Sequence, residues 1–92
     1  PAKYGLGATA TNSIIADGSV IEGTVENSII FRGVVIGKNA VVKNCILMQD
    51  TVVNEGAALS YIITDKNVTI SKGRCLTGSE NYPMVIRKGT TV

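Results

Sequence analysis

The phrase NSII stands at residues 12–15 and again at residues 27–30, and it decides how the rest of the chain is interpreted. Two variants follow, NCIL at residues 44–47 and SYII at residues 60–63. The four phrases are therefore 15, 17 and 16 residues apart, in a chain of only 92 residues. A short phrase that returns at a nearly fixed interval indicates a repeat protein, in which each unit stacks on the next.

A second, shorter period runs inside each unit. Large aliphatic residues recur in steps of six, for example from Ile30 to Ile36 and on to Val42, and turn-forming glycine and asparagine lie between them. Three such steps close one triangular coil of a hexapeptide β-helix, in which every step is a short strand and a corner. An α-helix is excluded because no apolar period of about 3.6 residues persists. An antiparallel β-sandwich would not require the repeated phrase.

The sequence thus predicts an all-β domain over residues 1–92, a single-stranded parallel β-helix (a hexapeptide-repeat solenoid) of about four coils. Residues 12–76 are expected to form the coils, residues 1–11 a lead-in or N-terminal cap, and residues 77–92 a C-terminal cap or tail. Caps are expected because the ends of a solenoid expose unpaired strand edges. The repeat alone does not give the winding sense.

Alternation along each strand assigns side chains to the inside or the outside of the prism. The last residue of each phrase and the residue two positions earlier are predicted to point inward. These pairs are Ser13 and Ile15, Ser28 and Ile30, Cys45 and Leu47, and Tyr61 and Ile63.

The residues between those pairs are predicted to point outward and to stack as an apolar stripe, consisting of Ile14, Ile29, Ile46 and Ile62. One interpretation is that β-branched residues suit any strand surface. The other is an interface, which we favour because contiguous apolar surface usually binds a partner. The asparagines that open the phrases are expected to turn the corner rather than to bind a ligand.

Few residues suggest chemistry. The chain has no histidine, so a metal site or a general base built on imidazole is excluded, and no catalytic or metal-ligating residue is predicted. Cys45 is expected in the core, and the carboxylates fall mostly at solvated corners. Arg74, Arg87 and Lys88 crowd towards the end of the chain, where they either serve solubility or bind a phosphorylated effector.

Composition and net charge limit the partners and the cellular compartment that the sequence predicts. A net charge of +2 is too small to predict a nucleic-acid partner, and no apolar run is long enough to predict a membrane span. Two cysteines without a disulfide pattern, and no signal peptide at the start, predict a cytoplasmic protein. Because the chain begins at Pro1 rather than at Met, we expect it to be part of a longer polypeptide.

The long run over residues 12–53, NSIIADGSVIEGTVENSIIFRGVVIGKNAVVKNCILMQDTVV, resembles the C-terminal β-helix domain of bacterial glucose-1-phosphate adenylyltransferase, also called ADP-glucose pyrophosphorylase. The later segments YIITDKNVTISKG (residues 61–73) and YPMVIRKGTTV (residues 82–92) are closer to the GlgD type of subunit than to the GlgC type. The resemblance covers essentially the whole chain. It implies a left-handed β-helix and a place in glycogen biosynthesis.

The resemblance also implies that catalysis belongs elsewhere. In that family an N-terminal nucleotidyltransferase domain joins ATP and glucose 1-phosphate into ADP-glucose and pyrophosphate with Mg²⁺, so no cofactor is expected on this chain. The β-helix would serve tetramer assembly, packing against the catalytic domain, and part of an effector site, to which Arg87 and more loosely Arg74 correspond. Whether the parent subunit is itself an enzyme stays open. The alternatives are a freestanding hexapeptide acyltransferase and a purely structural solenoid.

Overall fold

The computed structural model describes residues 2–92 and contains fifteen short strands, with no helix among those residues. The strands are β1 (Lys3–Tyr4), β2 (Thr9–Thr11), β3 (Ile14–Ile15), β4 (Val20–Ile21), β5 (Thr24–Glu26), β6 (Ile29–Ile30), β7 (Val35–Ile36), β8 (Val41–Lys43), β9 (Ile46–Leu47), β10 (Val52–Val53), β11 (Ala58–Ser60), β12 (Ile62–Thr64), β13 (Thr69–Ile70), β14 (Cys75–Thr77) and β15 (Met84–Ile86). Val, Ile and Thr dominate them, as expected for strands that pack closely on both neighbours.

Every third strand belongs to the same sheet, and all the pairs are parallel. The first side, which carries the NSII phrases, is the sheet β3-β6-β9-β12-β15. The second side is β1-β4-β7-β10-β13 and the third side is β2-β5-β8-β11-β14. The chain therefore winds around a three-sided prism and makes four turns between β1 and β13 before it ends with β14, β15 and a bridge from Thr69 to Thr91. The predicted all-β solenoid of about four coils is confirmed.

The core is a column of aliphatic side chains that fills the prism. On the second side Ile21, Ile36, Val53 and Ile70 are fully buried, and on the third side Val25, Val42 and Leu59 are buried as well. Burying one such side chain stabilises the fold by about 1.5–3 kcal/mol. Because each coil covers the next, no residue needs an aromatic neighbour to be removed from water.

Asparagine and glycine supply the corners. The backbone angle φ is positive at Asn12, Asn27 and Asn44, where the chain turns into the first side, and at Gly18 and other glycines of the remaining corners. Asparagine tolerates this left-handed conformation better than most side chains do. The asparagine of NSII is therefore a corner residue, as predicted.

The coil from β4 to β6 is shorter than its neighbours because its corner between the second and third sides contains only Glu22 and Gly23. The next coil uses the four residues 37–40 at that place. The tighter corner brings Gly23 against the coil above it. A Cβ atom on Gly23 would lie 2.3 Å from the carbonyl oxygen of Ala40 and 2.7 Å from that of Gly37.

Replacing Gly23 with alanine is therefore expected to lower the free energy of unfolding by about 1–3 kcal/mol or more, since two backbone oxygens would have to move. Urea unfolding followed by circular dichroism measures the effect. Gly5→Ala is the matched control, because the nearest atom to a Cβ there is the flexible Glu22 Cγ, at 3.1 Å. Equal stability losses in the two variants would show that the short corner is not tightly packed.

One predicted register is wrong. In the fourth phrase, Ile63 pairs with Ile46 and Thr64 pairs with Leu47, so Ile63 points outward and Ile62 points inward. Ile62 and Thr64 are both fully buried, whereas Tyr61, predicted to point inward, occupies the corner at φ 55°. The corner residues are thus Asn12, Asn27, Asn44 and Tyr61, and the phrase that the sequence placed at Ser60 begins one residue later.

The shift has a physical explanation in side-chain volume. In earlier coils a small residue precedes a large one inside the prism, as in Ser28 and Ile30, but here the large Ile62 precedes the small Thr64. The Thr64 hydroxyl is satisfied by a hydrogen bond with the Thr51 hydroxyl at 3.0 Å, and it also accepts the amide proton of Met48 at 3.3 Å. The pair fills about the same volume in the opposite order.

The two end segments take part in the solenoid. β1 and β2 lie within residues 1–11, and β15 lies within residues 77–92, each paired in register with the adjacent coil. Ile86 is buried at the C-terminal end, whereas Tyr4 is 55% exposed at the other end. Arg74, which directly precedes β14, is exposed because no further coil covers the third side beyond that strand.

Candidate interaction surface

The outward residues of the first side form a continuous apolar stripe. The parallel pairing places Ile14 beside Ile29, Ile29 beside Ile46, Ile46 beside Ile63, and Ile63 beside Val85. Ile14 is 69% exposed, Ile29 39% and Val85 67%, while Ile46 and Ile63 are half-buried between them. Three of the four predicted isoleucines therefore lie on the stripe, and Ile63 takes the place predicted for Ile62.

A second column runs beside the stripe, two residues further along each strand. Phe31 and Met48 stack here, with their amides bonded to the carbonyl groups of Leu47 and Thr64 at 3.0 and 3.3 Å. Both side chains are half-buried and point to the same outer surface as the isoleucines. The sequence could have predicted that Phe31 and Met48 point outward, because strand alternation places the residue after each inward Ile or Leu on the outside.

We call this surface the apolar face, and it consists of Ile14, Ile29, Phe31, Ile46, Met48, Ile63 and Val85. The other two sides differ from it. The outer surface of the second side carries smaller Val and Thr residues, including Val35 and Thr69. On the third side, Glu26 and Lys43 form an ion pair at 3.5 Å, which is typical of a surface in water.

The corner beside the apolar face is polar and well satisfied. The Asn12 amide donates to the Asn27 side-chain oxygen, and the Ser28 hydroxyl accepts the amide proton of Cys45 and donates to the carbonyl of Glu26. These residues and the adjacent Ile14 and Ile29 line a shallow groove of about 470 Å³. Throughout residues 2–92, no buried side-chain nitrogen or oxygen lacks a hydrogen-bond partner. The asparagine and serine ladders therefore stabilise the stack, because their hydrogen bonds join one coil to the next.

The cysteines are free and lie in opposite environments. Cys45 is buried in the prism and Cys75 is exposed on β14. Burial raises the pKa of the Cys45 thiol, while hydrogen bonds to the backbone near Ile62 and Lys43 oppose that shift. A thiol is nucleophilic only as thiolate, so Cys45 fits a core residue rather than a nucleophile.

The thiols are therefore expected to react at different rates with an aromatic disulfide reagent at pH 8. Cys75 should react within the mixing time or minutes, and Cys45 only as fast as the chain unfolds, so that Cys75→Ser leaves almost no native reactivity. Absorbance of the released thiolate measures both phases. Two fast phases in the wild-type chain would contradict the burial of Cys45.

The three predicted cations do not share one corner. Arg74 lies just before β14, at the corner between the second and third sides, beside Lys72, which pairs with Glu55 at 3.6 Å. Arg87 and Lys88 follow β15, at the corner between the first and second sides, and the amide of Gly89 bonds to the carbonyl of Lys66 below them. All three predicted residues are exposed. Arg87 and Lys88 therefore form one group with Lys66, and Arg74 belongs to another.

Within residues 2–92, no group of three or more His, Cys, Asp or Glu residues is arranged to hold a metal ion. No helix of that part is long and apolar enough to cross a membrane.

The three-sided parallel prism with its six-residue step defines a hexapeptide-repeat solenoid. The chain belongs to the family described as GlmU-like, C-terminal hexapeptide, whose model matches residues 2–81. It is 55% identical over 89 residues to the glycogen biosynthesis protein GlgD of Bacillus subtilis (strain 168), a match that covers 97% of this chain and 26% of that protein. The identity to GlgD of Geobacillus stearothermophilus is 53% over 90 residues, which is 98% of this chain and 26% of that protein.

Glucose-1-phosphate adenylyltransferases match a shorter part of the chain. That of Clostridium botulinum (strain Eklund 17B / Type B) is 50% identical over 44 residues, which is 47% of this chain and 11% of the enzyme. The resemblance to this enzyme and to its GlgD type is confirmed. The chain spans about a quarter of the length of the GlgD relatives it matches.

Proposed function

We propose that this chain is the assembly and regulatory solenoid of a GlgD-type subunit that acts with glucose-1-phosphate adenylyltransferase in glycogen biosynthesis. The observation that carries the proposal is the apolar face, with Ile14 69% and Val85 67% exposed at its two ends. In the proposal, another domain of the same subunit or a neighbouring subunit covers this face. The chain contributes binding surface and geometry rather than a reaction step.

The energetics favour a covered face. Transfer of a fully exposed Ile or Val side chain out of water is worth about 1.5–3 kcal/mol, so covering the mostly exposed Ile14 and Val85 alone contributes a few kcal/mol before the cost of association. The face is flat and its residues are in register, because parallel pairing repeats every coil at about 4.8 Å. A rigid, flat, apolar surface binds with little loss of conformational entropy.

The adenylyltransferase reaction, with ATP and Mg²⁺, is assigned to a nucleotidyltransferase domain outside this chain. Carboxylates are the ligands that Mg²⁺ prefers, and here Asp17, Asp50 and Asp65 stand in separate coils without forming a metal-binding group. The residues described therefore do not fit ATP bound to Mg²⁺, and the proposal gives them no catalytic role. A cytoplasmic location is part of the proposal, supported by two free cysteines and by relatives named for glycogen biosynthesis.

The experiment mixes the full-length subunit containing this chain with the adenylyltransferase of the same organism. The proposal predicts a complex of higher mass than either protein alone in sedimentation velocity, with a changed response of ADP-glucose formation to effectors. The same subunit lacking residues 1–92 of this chain should form no such complex. Two proteins that sediment independently, with an unchanged activation curve, would contradict the proposal.

The proposed effector site predicts a specific effect of replacing Arg87. Arg87→Ala is expected to raise by about 3- to 10-fold the concentration of a phosphorylated effector that gives half-maximal response, since one charge-assisted hydrogen bond at an exposed site is lost. A panel of sugar phosphates and inorganic phosphate serves as the probe. Lys38→Ala, which removes an exposed cation from another coil, is the control. Identical titration curves for Arg87→Ala and the wild-type protein would remove Arg87 from the effector site.

A further inference from the structure

The chain turns from the third to the first side in a different way in its last coil. Earlier coils use one or two residues at this corner, such as Asn27 and Ser28 between β5 and β6. Between β14 and β15 the corner has six residues, 78–83, which we call the corner loop. An insertion at one corner of a solenoid leaves the stacking of the strands intact and projects side chains outward.

The corner loop is held rigidly at both ends. The Gly78 amide donates to the carbonyl of Ser60 at 2.8 Å, and the Met84 amide donates to the carbonyl of Tyr61 at 3.0 Å. A Cβ on Gly78 would lie 2.4 Å from the Tyr61 oxygen, so only glycine fits there. Between these anchors, the amides and carbonyls of Ser79 and Tyr82 bond reciprocally at 3.0 Å.

The corner loop carries an exposed aromatic side chain, Tyr82. Tyr82 is 85% exposed, and its phenol oxygen has no hydrogen-bond partner among the residues that the structure describes. Met84 is 40% exposed and Val85, the last residue of the apolar face, is 67% exposed. Tyrosine is among the residue types enriched at the centres of protein interfaces, because it offers a large contact area and has only two side-chain torsions to fix on binding.

The charges at the opposite edge of the first side indicate the character of the partner surface. Lys66, Arg87 and Lys88 lie at the corner between the first and second sides, across the apolar face from the corner loop, and all three are exposed. Asp65 is the exposed carboxylate of the same part of the chain, so the positive charge there is in excess. Such an edge associates most readily with an acidic surface.

We propose that Tyr82 is a protein-binding anchor, which inserts into an apolar pocket on the subunit that packs against the apolar face, while an acidic patch of the same subunit meets Lys66, Arg87 and Lys88 at the opposite edge of that face. This inference rests on the proposed function and adds to it the residue that selects the partner. The phenol oxygen would donate its hydrogen bond to an acceptor at the mouth of that pocket.

The test measures the dissociation constant of the full-length subunit for fluorescently labelled adenylyltransferase of the same organism. Tyr82→Ala is expected to weaken binding by about 30-fold or more, and Tyr82→Phe by less, since the ring is kept. Raising the salt concentration should weaken the wild-type complex further, because charge complementarity is screened. Asn81→Ala, a neighbouring exposed residue of the corner loop, is the matched control and should change binding less than 2-fold.

The outcomes separate this inference from the proposed function. If Ile46→Asp prevents binding while Tyr82→Ala leaves the dissociation constant unchanged, the anchor is overturned and the assembly role stands. If neither variant weakens binding, both are overturned. If Asn81→Ala weakens binding as much as Tyr82→Ala does, the conformation of the loop matters rather than the ring, which also overturns the anchor. Thermal unfolding of each variant confirms that the solenoid is intact.

Discussion

Ile62→Ala will lower the free energy of unfolding of this chain by about 2–5 kcal/mol, the range for removing a fully buried isoleucine from a packed core. Ile62 is 0% exposed and lies in the column that Ser28 and Cys45 occupy in the coils below. The cavity would open between two coils that cannot collapse towards each other, because the hydrogen bonds of the sheets fix their spacing. For a chain of 92 residues, such a loss is a large fraction of the total stability.

Ile63→Ala is the matched control, since it removes the same atoms from the adjacent, half-buried outward position. It should cost less than about 1.5 kcal/mol, because a half-buried side chain gains only part of the free energy of full burial. Urea unfolding followed by circular dichroism gives both values. A larger loss for Ile63→Ala than for Ile62→Ala would restore the register that the sequence predicted and contradict the structure.

The fold could be predicted because the six-residue step is a property of the backbone path. One coil has three large inward residues, one on each side, and in the coil of Ile30, Ile36 and Val42 all three are fully buried. The fourth phrase was misplaced because alternation alone does not say which of two adjacent large residues faces inward. Ile62 and Ile63 are the same residue type, and the register is revealed by the strand pairing and by the buried hydroxyl pair of Thr51 and Thr64.

The apolar face could be predicted in part. Its stripe follows from the repeated phrase. Phe31 and Met48 were missed, although each directly follows the last residue of a phrase and strand alternation places that position outside. The grouping of the cations could not be predicted, since their proximity in sequence hides that Arg74 and Arg87 stand at different corners of the prism. The corner loop was included in a C-terminal tail because no repeat marks it, although its glycine and proline indicate a turn.

Ile46→Asp in the full-length subunit is expected to weaken its assembly by at least 100-fold. Ile46 lies at the centre of the apolar face, in register with Ile29 and Ile63. A carboxylate buried in an apolar interface without a partner costs several kcal/mol, whereas the same carboxylate in the free subunit stays in water. The solenoid itself should remain folded, because the substituted side chain points away from the core.

Val41→Asp is the matched control for the added charge, since Val41 is also half-buried and points outward, but on the third side. The same coil therefore carries the new carboxylate in both variants. If Val41→Asp disrupts assembly equally, the loss reflects damage to the solenoid or an interface on the third side.

The most direct test of the central claim is the mass of the complex between full-length subunit and adenylyltransferase at micromolar concentration, measured by sedimentation velocity for the wild type, Val41→Asp and Ile46→Asp. An interface on the apolar face predicts the full complex for the first two proteins and separate components for Ile46→Asp. A full complex with Ile46→Asp, in a subunit shown to be folded, would contradict it.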